Sequence, residues 1–219
     1  MGKLRWQLAQ FFERIWWNNY LENKTPHEYL LWKTAYWKSF LDNLNIDQAS
    51  IDEPIMDVGC GPAGIFTIFQ DKNITALDPL INEYQNLSIF NQSDYPQVNF
   101  INKSFEDYNG KESYQTVFCL NAVNHFIDLK GSFKRLNHFT AKNGHLVVSI
   151  DAHNYSLFRY LFAWIPFDIL HPHQYTLDEY MDFMKDNGFK IEQKVRIKKA
   201  FFFDYWVLVA HKPLHFQPD

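Results

Sequence analysis

The sequence has few cysteines, no long apolar run and no excess of positive charge, and each absence excludes a class of protein. Only Cys60 and Cys119 occur among 219 residues, which excludes a disulfide framework and suits a reducing compartment. No apolar run reaches the roughly 18 residues that a membrane-spanning helix needs. Acidic and amide residues interrupt residues 1–17, where a signal peptide would be continuously apolar. We therefore expect a cytoplasmic protein.

Acidic residues outnumber basic ones. The chain has 21 Lys and Arg against 25 Asp and Glu, which gives a formal net charge of −4 at pH 7. A protein that follows the phosphate backbone of DNA or RNA usually carries a basic stripe. The sequence therefore predicts that nucleic acid is not a partner.

The composition is that of a globular chain with many aromatic side chains at one end. Hydrophobic residues make up 47% and charged residues 21%, and the length suits one domain with an extension. Five of the seven tryptophans lie within the first 40 residues. Apolar residues recur there at helical spacing, and Thr25, Pro26 and Glu28 predict a helix that begins with a capping box. We expect residues 1–48 to form a helical cap on a domain of residues 49–219.

Short apolar runs alternate with helical patterns in the rest of the chain. This alternation predicts a parallel sheet with helices on both faces. The last two runs are too close together for a crossover helix, so we expect them to pair antiparallel. The predicted strands are 54–58, 73–78, 97–101, 116–120, 145–151, 189–198 and 201–210. The predicted helices are 62–70, 80–91, 128–142 and 177–187, the last with a capping box of Thr176 and Glu179. The aromatic stretch 152–175 is too long for a plain connection and is expected to fold back as a lid.

Three glycines follow the first predicted strand at a spacing typical of nucleoside-binding sites. Gly59, Gly61 and Gly64 fit G-x-G-x-x-G between a strand and a helical pattern, where a tight turn must let the backbone approach a ligand. Asp78 ends the second predicted strand, where its carboxylate can accept hydrogen bonds from ribose hydroxyls. The combination predicts a nucleoside ligand.

The charge beside this turn favours S-adenosylmethionine (SAM) over a dinucleotide. Asp57 lies two residues before the first glycine, so its carboxylate would repel a pyrophosphate and attract a sulfonium and an ammonium. A dinucleotide-dependent oxidoreductase is therefore the less favoured alternative.

The same segment resembles the first motif of the class I SAM-dependent methyltransferases, especially their small-molecule (methyltransferase type 11-like) group. The resemblance rests on DVGCGPAG (57–64), SFED (104–107), CLNAVNHF (119–126) and the ending YTLDEYMDFMKDNGF followed by YWVLVAHKP. It covers about residues 50–212. It implies a Rossmann-like, doubly wound α/β sheet of seven strands in the order 3-2-1-4-5-7-6, with the last strand antiparallel.

The resemblance also implies a set of cofactor-binding residues. The family often has Asp in the adenine-side segment and before the fourth strand, whereas this chain has Ser104 and Gln115. The adenine contact is therefore left open among Ser104, Phe105 and Glu106, and Asn121 is expected at the methionine end. The expected cofactor-binding residues are Asp57, Gly59, Cys60, Gly61, Asp78, Pro79, Ser104, Phe105, Glu106 and Asn121.

Histidines near the carboxyl ends of strands are the candidate catalytic bases. Methyl transfer to an O–H or N–H group requires the loss of one proton, and histidine is the natural base near neutral pH. His125 is the first candidate, with His173 or His153 behind it. Asp168, His171 and His173 lack the spacing of a recognised zinc motif, so no metal is predicted.

These observations predict a SAM-dependent methyltransferase that acts on a small apolar or aromatic organic acceptor. One alternative is a quinone or lipid methyltransferase in peripheral contact with a membrane, because the basic, aromatic N-terminal region suits an interfacial helix. A second alternative is a SAM-binding partner subunit without catalysis, because Gln115 departs from the family pattern and the base is not fixed. The oligomeric state stays open.

Overall fold

A seven-stranded sheet organises the protein, which is described in a computed structural model over residues 25–154, 175–201 and 203–215. The strand order is β3-β2-β1-β4-β5-β7-β6. Strands β1 to β5 pair in parallel, and β7 pairs antiparallel with both β5 and β6. The strands are β1 Ile55–Val58, β2 Ile74–Leu77, β3 Val98–Ile101, β4 Tyr114–Cys119, β5 Thr140–His153, β6 Lys190–Lys198 and β7 Phe203–His211. The predicted fold class and strand order are confirmed.

Four α-helices and four 3₁₀ helices connect or cover the strands in the described ranges. The α-helices are α1 Pro26–Asn43, α2 Ile81–Tyr84, α3 Leu129–Phe139 and α4 Leu177–Asp186. The 3₁₀ helices are Gln48–Ser50, Ile65–Ile68, Gln92–Asp94 and Val123–His125. The first half of the expected helical cap and most of the expected lid, with His173, lie outside the described residues. No helix in the described part of the chain is long and apolar enough to cross a bilayer.

The sheet separates two apolar cores, because successive side chains of a strand point to opposite faces. On the β1 strand, Ile55 belongs to one core and Met56 to the other. The first face is covered by α1, whose buried side chains are Tyr29, Trp37, Phe40 and Leu41. The second face is covered by α3 and α4, whose buried apolar side chains are Leu129, Phe133, Leu136, Phe139, Tyr180 and Met184.

Two predicted helices are much shorter than expected. The segment predicted as a helix over 62–70 forms only the 3₁₀ helix Ile65–Ile68, in which Ile65, Phe66 and Ile68 are buried and three of the four residues are β-branched, which disfavours a longer helix. The segment predicted over 80–91 forms only α2, a helix of four residues. Asn and Ser residues follow α2, and their side chains compete for backbone hydrogen bonds. Turns and short helices, instead of long helices, therefore connect β1 to β2 and β2 to β3.

The two expected capping boxes have different outcomes. At α4, the Thr176 hydroxyl accepts from the backbone N–H of Glu179, and the Glu179 carboxylate accepts from the N–H of Thr176, as predicted. At α1, Thr25 makes no capping hydrogen bond to the helix backbone, and its hydroxyl instead donates to the Glu28 carboxylate. The prediction of a box at α1 was therefore wrong, although the helix does begin at Pro26.

Candidate cofactor and acceptor site

The glycine-rich turn after β1 has the tight backbone that its sequence predicts. Gly59 has a φ of 67°, and a Cβ added there would lie 2.5 Å from the Cβ of Ala122. A Cβ on Gly64 would lie 2.6 Å from Oδ2 of Asp57 and would also meet the backbone oxygen of Cys60. Gly59 adopts a left-handed conformation and Gly64 has no room for a side chain, so both positions exclude larger residues.

Hydrogen bonds join this turn to the end of β2. The N–H groups of Gly59 and Cys60 donate to the carbonyl oxygen of Leu77 at 2.7 and 3.2 Å. Gly61 donates its N–H to Oδ2 of Asp78 at 3.1 Å. The turn and the expected ribose-binding acid therefore form one rigid unit.

Asp78 is buried, and its carboxylate accepts hydrogen bonds from three protein donors. Its Oδ1 accepts from the N–H of Leu80 at 2.9 Å and from the hydroxyl of Tyr84 at 3.1 Å. Burial raises the pKa of Asp78, and these hydrogen bonds oppose that rise. A carboxylate offers about four acceptor positions, so Oδ2, which binds only Gly61 within the described residues, has capacity for a ligand hydroxyl.

A cleft of about 520 Å³, including its open mouth, lies at the carboxyl ends of β1, β2 and β4. This is the edge at which open α/β sheets bind ligands. Eight residues that sequence reasoning selected line it, and Leu77, Ala122 and Phe126 complete it. The selected residues in the lining are Gly59, Asp78, Pro79, Ser104, Phe105, Glu106, Asn121 and His125.

The adenine-side candidates each have a different environment within the cleft. Ser104 donates its hydroxyl to Oδ2 of Asp107 at 2.7 Å, and Glu106 accepts the N–H of Ile127 at 2.7 Å. The ring of Phe105 is stacked on that of Phe126, with centroids 5.4 Å apart. The first two side chains position loops, whereas the aromatic pair supplies the apolar surface on which a base could pack.

The methionine-side candidates come from the loop after β4. Asn121 has a φ of 56°, and its N–H donates to the Ser149 hydroxyl at 2.8 Å. The next residue, Ala122, is the one that faces Gly59. His125 lies in the following 3₁₀ helix and lines the same cleft. The loop therefore brings an amide and an imidazole to the rim opposite Asp78.

Asp57 lies behind the turn and is not part of the cleft lining. Its Oδ2 accepts the N–H of Phe66 at 3.4 Å, so the carboxylate caps the 3₁₀ helix Ile65–Ile68. Burial, together with the charge of Asp78, raises the pKa of Asp57 to about 7, against the opposing effects of backbone hydrogen bonds and Lys33. The structure thus gives Asp57 a role in holding the turn, and its contact with a cofactor stays a prediction.

Lys33 of α1 is a charged group that the sequence interpretation did not use. Its ammonium lies 4.5 Å from the ring centroid of Trp37 and 4.9 Å from that of Tyr36. Burial lowers the pKa of Lys33 to about 8, and the negative charge of Asp57 opposes this shift. The only signal in the sequence was a lysine within the apolar stripe of α1.

Helix α1 is also hydrogen-bonded to the glycine-rich turn. The indole N–H of Trp37 donates to the carbonyl of Ala63 at 3.0 Å, which fixes the helix on the turn.

The remaining selected residues in the described ranges, Cys60, Gly61 and His153, are not in the cleft lining. Cys60 is buried beside Asp78 and Asp57, and burial raises the pKa of its thiol well above the ordinary value. His153 is buried at the end of β5 with its ring 4.2 Å from that of Phe203, its neighbour on β7, and it is not in the cleft lining. Within the described ranges, no group of three or more His, Cys, Asp or Glu is arranged to hold a metal ion.

The fold and the cleft together define a Rossmann-like methyltransferase, because the antiparallel β7 is inserted between β5 and β6 and the glycine turn after β1 is hydrogen-bonded to an acid that directly follows β2. A family model described as a methyltransferase domain matches residues 29–194. The chain therefore belongs to this methyltransferase domain family, among the class I SAM-dependent methyltransferases.

Individual relatives agree with this assignment. The ubiquinone biosynthesis O-methyltransferase of Rickettsia prowazekii (strain Madrid E) is 23% identical over 179 residues, which cover 76% of this chain and 70% of that protein. Magnesium protoporphyrin IX methyltransferase from Synechocystis PCC 6803, with bound S-adenosylhomocysteine (SAH), has a TM-score of 0.63 at 18% identity, covering 93% of this chain and 94% of that one. The 1,6-didemethyltoxoflavin-N1-methyltransferase of Burkholderia thailandensis has a TM-score of 0.62 at 13% identity, covering 94% and 87% of the two chains. The two structures share the fold.

Proposed function

We propose that this protein transfers the methyl group of SAM to a small organic acceptor with an apolar or aromatic body, and that the acceptor binds beside His125. One observation carries the proposal. Eight residues selected for cofactor binding or catalysis line one cleft, although they come from loops that lie far apart in the sequence. Chance would not bring a glycine turn, an acid, an aromatic pair and a histidine to the same edge of the sheet.

The cofactor supplies an electrophilic methyl group on a sulfonium. On the protein side, Asp78 accepts hydrogen bonds from the ribose, and the backbone at Gly59 leaves room for the nucleoside. Phe105 and Phe126 offer an apolar face to the base, with Ser104 and Glu106 beside it. Asp57, whose pKa is raised to about 7, favours a cationic methionine group from behind the turn in its ionised form.

His125 is the candidate base for the acceptor. It lies in the loop after β4, across the cleft from Asp78, and an imidazole can accept a proton near neutral pH. Catalysis of this kind needs alignment of the acceptor, exclusion of water and removal of one proton. His173 and His153 stay predicted secondary candidates, and His153 is not in the cleft lining.

Two similar proteins support the proposal that the acceptor is a small molecule. The Rickettsia protein is named for ubiquinone biosynthesis, and the structure of the Burkholderia enzyme has 1,6-didemethyltoxoflavin and SAH bound. Both favour a small-molecule acceptor here. Peripheral contact with a membrane, the cytoplasmic location and the division into a cap of residues 1–48 and a catalytic domain with a lid over 152–175 stay predictions.

Two variants test the proposal by separating binding from chemistry. Product SAH is titrated into the wild-type protein by calorimetry, and methyl transfer to 4-tert-butylcatechol is followed by mass spectrometry. His125→Ala should leave SAH affinity unchanged and lower the rate by about 10²- to 10⁴-fold. His138→Ala, an exposed histidine on α3, is the matched control. Transfer at the wild-type rate in His125→Ala would contradict the base assignment, and SAH binding without transfer to any acceptor would favour a non-catalytic subunit.

The quinone or lipid alternative has a separate test. Co-sedimentation with vesicles of anionic phospholipid measures membrane contact directly. Binding that weakens as salt is raised would support this alternative, whereas protein that stays in the supernatant at low salt would end it.

A further inference from the structure

A buried tyrosine is hydrogen-bonded to the loop that carries His125. The hydroxyl of Tyr180 on α4 donates to Oδ1 of Asn124 at 2.7 Å, and the two residues lie 56 positions apart in the sequence. Tyr180 is 0% exposed and Asn124 is 6% exposed. Asn124 directly precedes His125, which lines the cleft. The hydrogen bond therefore joins α4 to the segment that holds the candidate base.

The surroundings of this hydrogen bond are apolar. Val123, Phe126 and Tyr180 belong to the buried cluster on the α3 and α4 side of the sheet. Burying an amide there is unfavourable unless its groups have partners, and an apolar side chain would fill the same space without that penalty. A polar pair is satisfied in one arrangement, whereas apolar contacts tolerate small displacements. The pair of Tyr180 and Asn124 is therefore suited to fixing a position.

The segment that carries His125 depends on anchors from outside. It is a 3₁₀ helix of three residues, Val123–His125, and such short helices have few and poorly aligned internal hydrogen bonds. The N–H of Asn121 before it and the N–H of Ile127 after it donate to side chains of β5 and of the loop after β3. Tyr180 anchors the helix itself, at its middle residue, Asn124.

The first turn of α4 holds Tyr180 in place. The capping box of Thr176 and Glu179 closes this turn, and the N–H of Tyr180 donates to the carbonyl of Thr176 at 3.2 Å. The carbonyl of the preceding Tyr175 accepts the N–H of His153 at 3.0 Å, so the helix begins at an anchor on β5. Burial raises the pKa of Tyr180, so its hydroxyl keeps the proton that it donates.

We propose that Tyr180 and Asn124 are positioning residues, whose hydrogen bond holds the Val123–His125 helix so that the His125 imidazole meets the acceptor. Neither side chain belongs to the lining of the cleft within the described residues, so both act through His125. A displacement of a reacting group by about 1 Å can lower a rate about 100-fold. The inference rests on the proposed function, because it concerns the base of that reaction.

Kinetics of matched variants test the inference. Tyr180→Phe removes only the hydroxyl, and kcat for methyl transfer to 4-tert-butylcatechol should fall about 10- to 100-fold with SAH affinity unchanged. In a His125→Ala background the same substitution should have no further effect, because it acts through the imidazole. Tyr114→Phe is the matched control and should leave kcat unchanged. Tyr114 is 1% exposed, donates its hydroxyl to Glu112 and lies at the start of β4, away from the cleft.

A double variant separates positioning from stability. Tyr180→Phe leaves the buried oxygen of Asn124 without this donor, so the Tm should fall. Adding Asn124→Leu replaces the second partner by an apolar side chain, so the Tm should recover. The rate should nevertheless stay low, because the hydrogen bond that orients the helix is still missing. A rate that recovers together with the Tm would show that the pair only stabilises the fold, and would overturn the inference.

A spectroscopic measurement decides the inference without turnover. In protein made with isotope-labelled histidine, the NMR signal of the His125 ring is assigned by its absence from His125→Ala. It should shift or split in Tyr180→Phe and stay in place in Tyr114→Phe, while the signal of the exposed His138 changes in neither. An unchanged His125 signal in Tyr180→Phe would also overturn the inference. Failure of the wild-type protein to transfer a methyl group would instead contradict the proposed function, and this comparison would still stand.

Discussion

The carboxylate of Asp78 accepts the backbone N–H of Gly61 at 3.1 Å, and this bond joins the glycine-rich turn to the end of β2. The residue expected to bind the ribose therefore also holds the backbone that the nucleoside must approach. Loss of the carboxylate should affect the shape of the site as well as its hydrogen bonding.

Asp78→Ala should weaken SAH binding by about 10- to 100-fold. Hydrogen bonds to a charged group contribute about 1.5–3 kcal/mol, and the variant removes those bonds together with the anchor of Gly61. The SAH affinity of Asp78→Asn should lie between those of Asp78→Ala and the wild type, because the amide keeps one acceptor oxygen. Calorimetric titration with SAH measures the effect, and the exposed Asp71→Asn serves as the control. Equal affinities for Asp78→Ala and wild type would remove the ribose assignment.

Gly59→Ala should both destabilise the protein and weaken SAH binding. A left-handed φ of 67° costs a non-glycine residue about 1–2 kcal/mol, and the new methyl would lie 2.5 Å from the Cβ of Ala122. The double variant Gly59→Ala with Ala122→Gly removes the clash but keeps the backbone strain. Thermal unfolding should therefore rank the proteins as wild type, double variant and single variant, in order of falling Tm. A double variant no more stable than the single one would contradict the contact between these two residues.

The stability of the protein should depend on pH through Asp57. Its pKa rises from 3.8 in the unfolded reference to about 7 in the fold, so the folded state binds more protons between these values. Stability contributed by this group is present at low pH and is lost as the pH rises toward 7, by an amount on the order of a few kcal/mol. Lys33 has the opposite slope, because its pKa falls from 10.5 to about 8 and its penalty is relieved as the pH rises between them.

Asp57→Asn isolates the acidic part of this dependence. The amide still accepts the N–H of Phe66 but carries no charge, so the Tm of the variant should gain on the wild type as the pH rises from 5 to 8. The exposed Asp52→Asn should keep a constant offset from the wild type. A constant offset for Asp57→Asn as well would show that Asp57 has an ordinary pKa.

Trp37→Phe should loosen α1 from the glycine turn. Trp37 is buried and donates its indole N–H to Ala63 at 3.0 Å, so the variant loses a hydrogen bond and core volume. We expect a loss of about 2 kcal/mol, or a Tm lower by roughly 4–8 °C for a chain of this size, and weaker SAH binding. Trp32→Phe, at a site 51% exposed, should change stability by less than about 0.5 kcal/mol. Similar losses in both variants would contradict the role of the Ala63 bond.

The strands and their order were predictable from the sequence because each buried strand leaves a short apolar run between turn residues. The β1 strand and its glycines carry the strongest signal, since Gly59 and Gly64 meet steric demands that few other residues satisfy. The helices 62–70 and 80–91 were predicted too long. Burial on every side hides helical periodicity in the first, and local Asn and Ser side chains end the second.

The sequence predicted most of the residues that line the site, but it did not predict how the residues around the site are arranged. Eight selected residues do line the cleft, because strand ends in a parallel sheet converge at one edge. Three-dimensional packing alone places Asp57 behind the turn, with Lys33 of α1 beside aromatic rings and near its charge. His153 is not in the cleft lining and instead packs against Phe203, its partner in the β5–β7 register, which local sequence does not reveal.

A crystal structure of the protein grown with SAH tests the central claim most directly. The account predicts density for the nucleoside in the cleft, with the ribose hydroxyls within hydrogen-bond distance of Asp78 and the sulfur facing the Asn121–His125 loop. Density for SAH at another place on the molecule, or a ribose that makes no contact with Asp78, would contradict it.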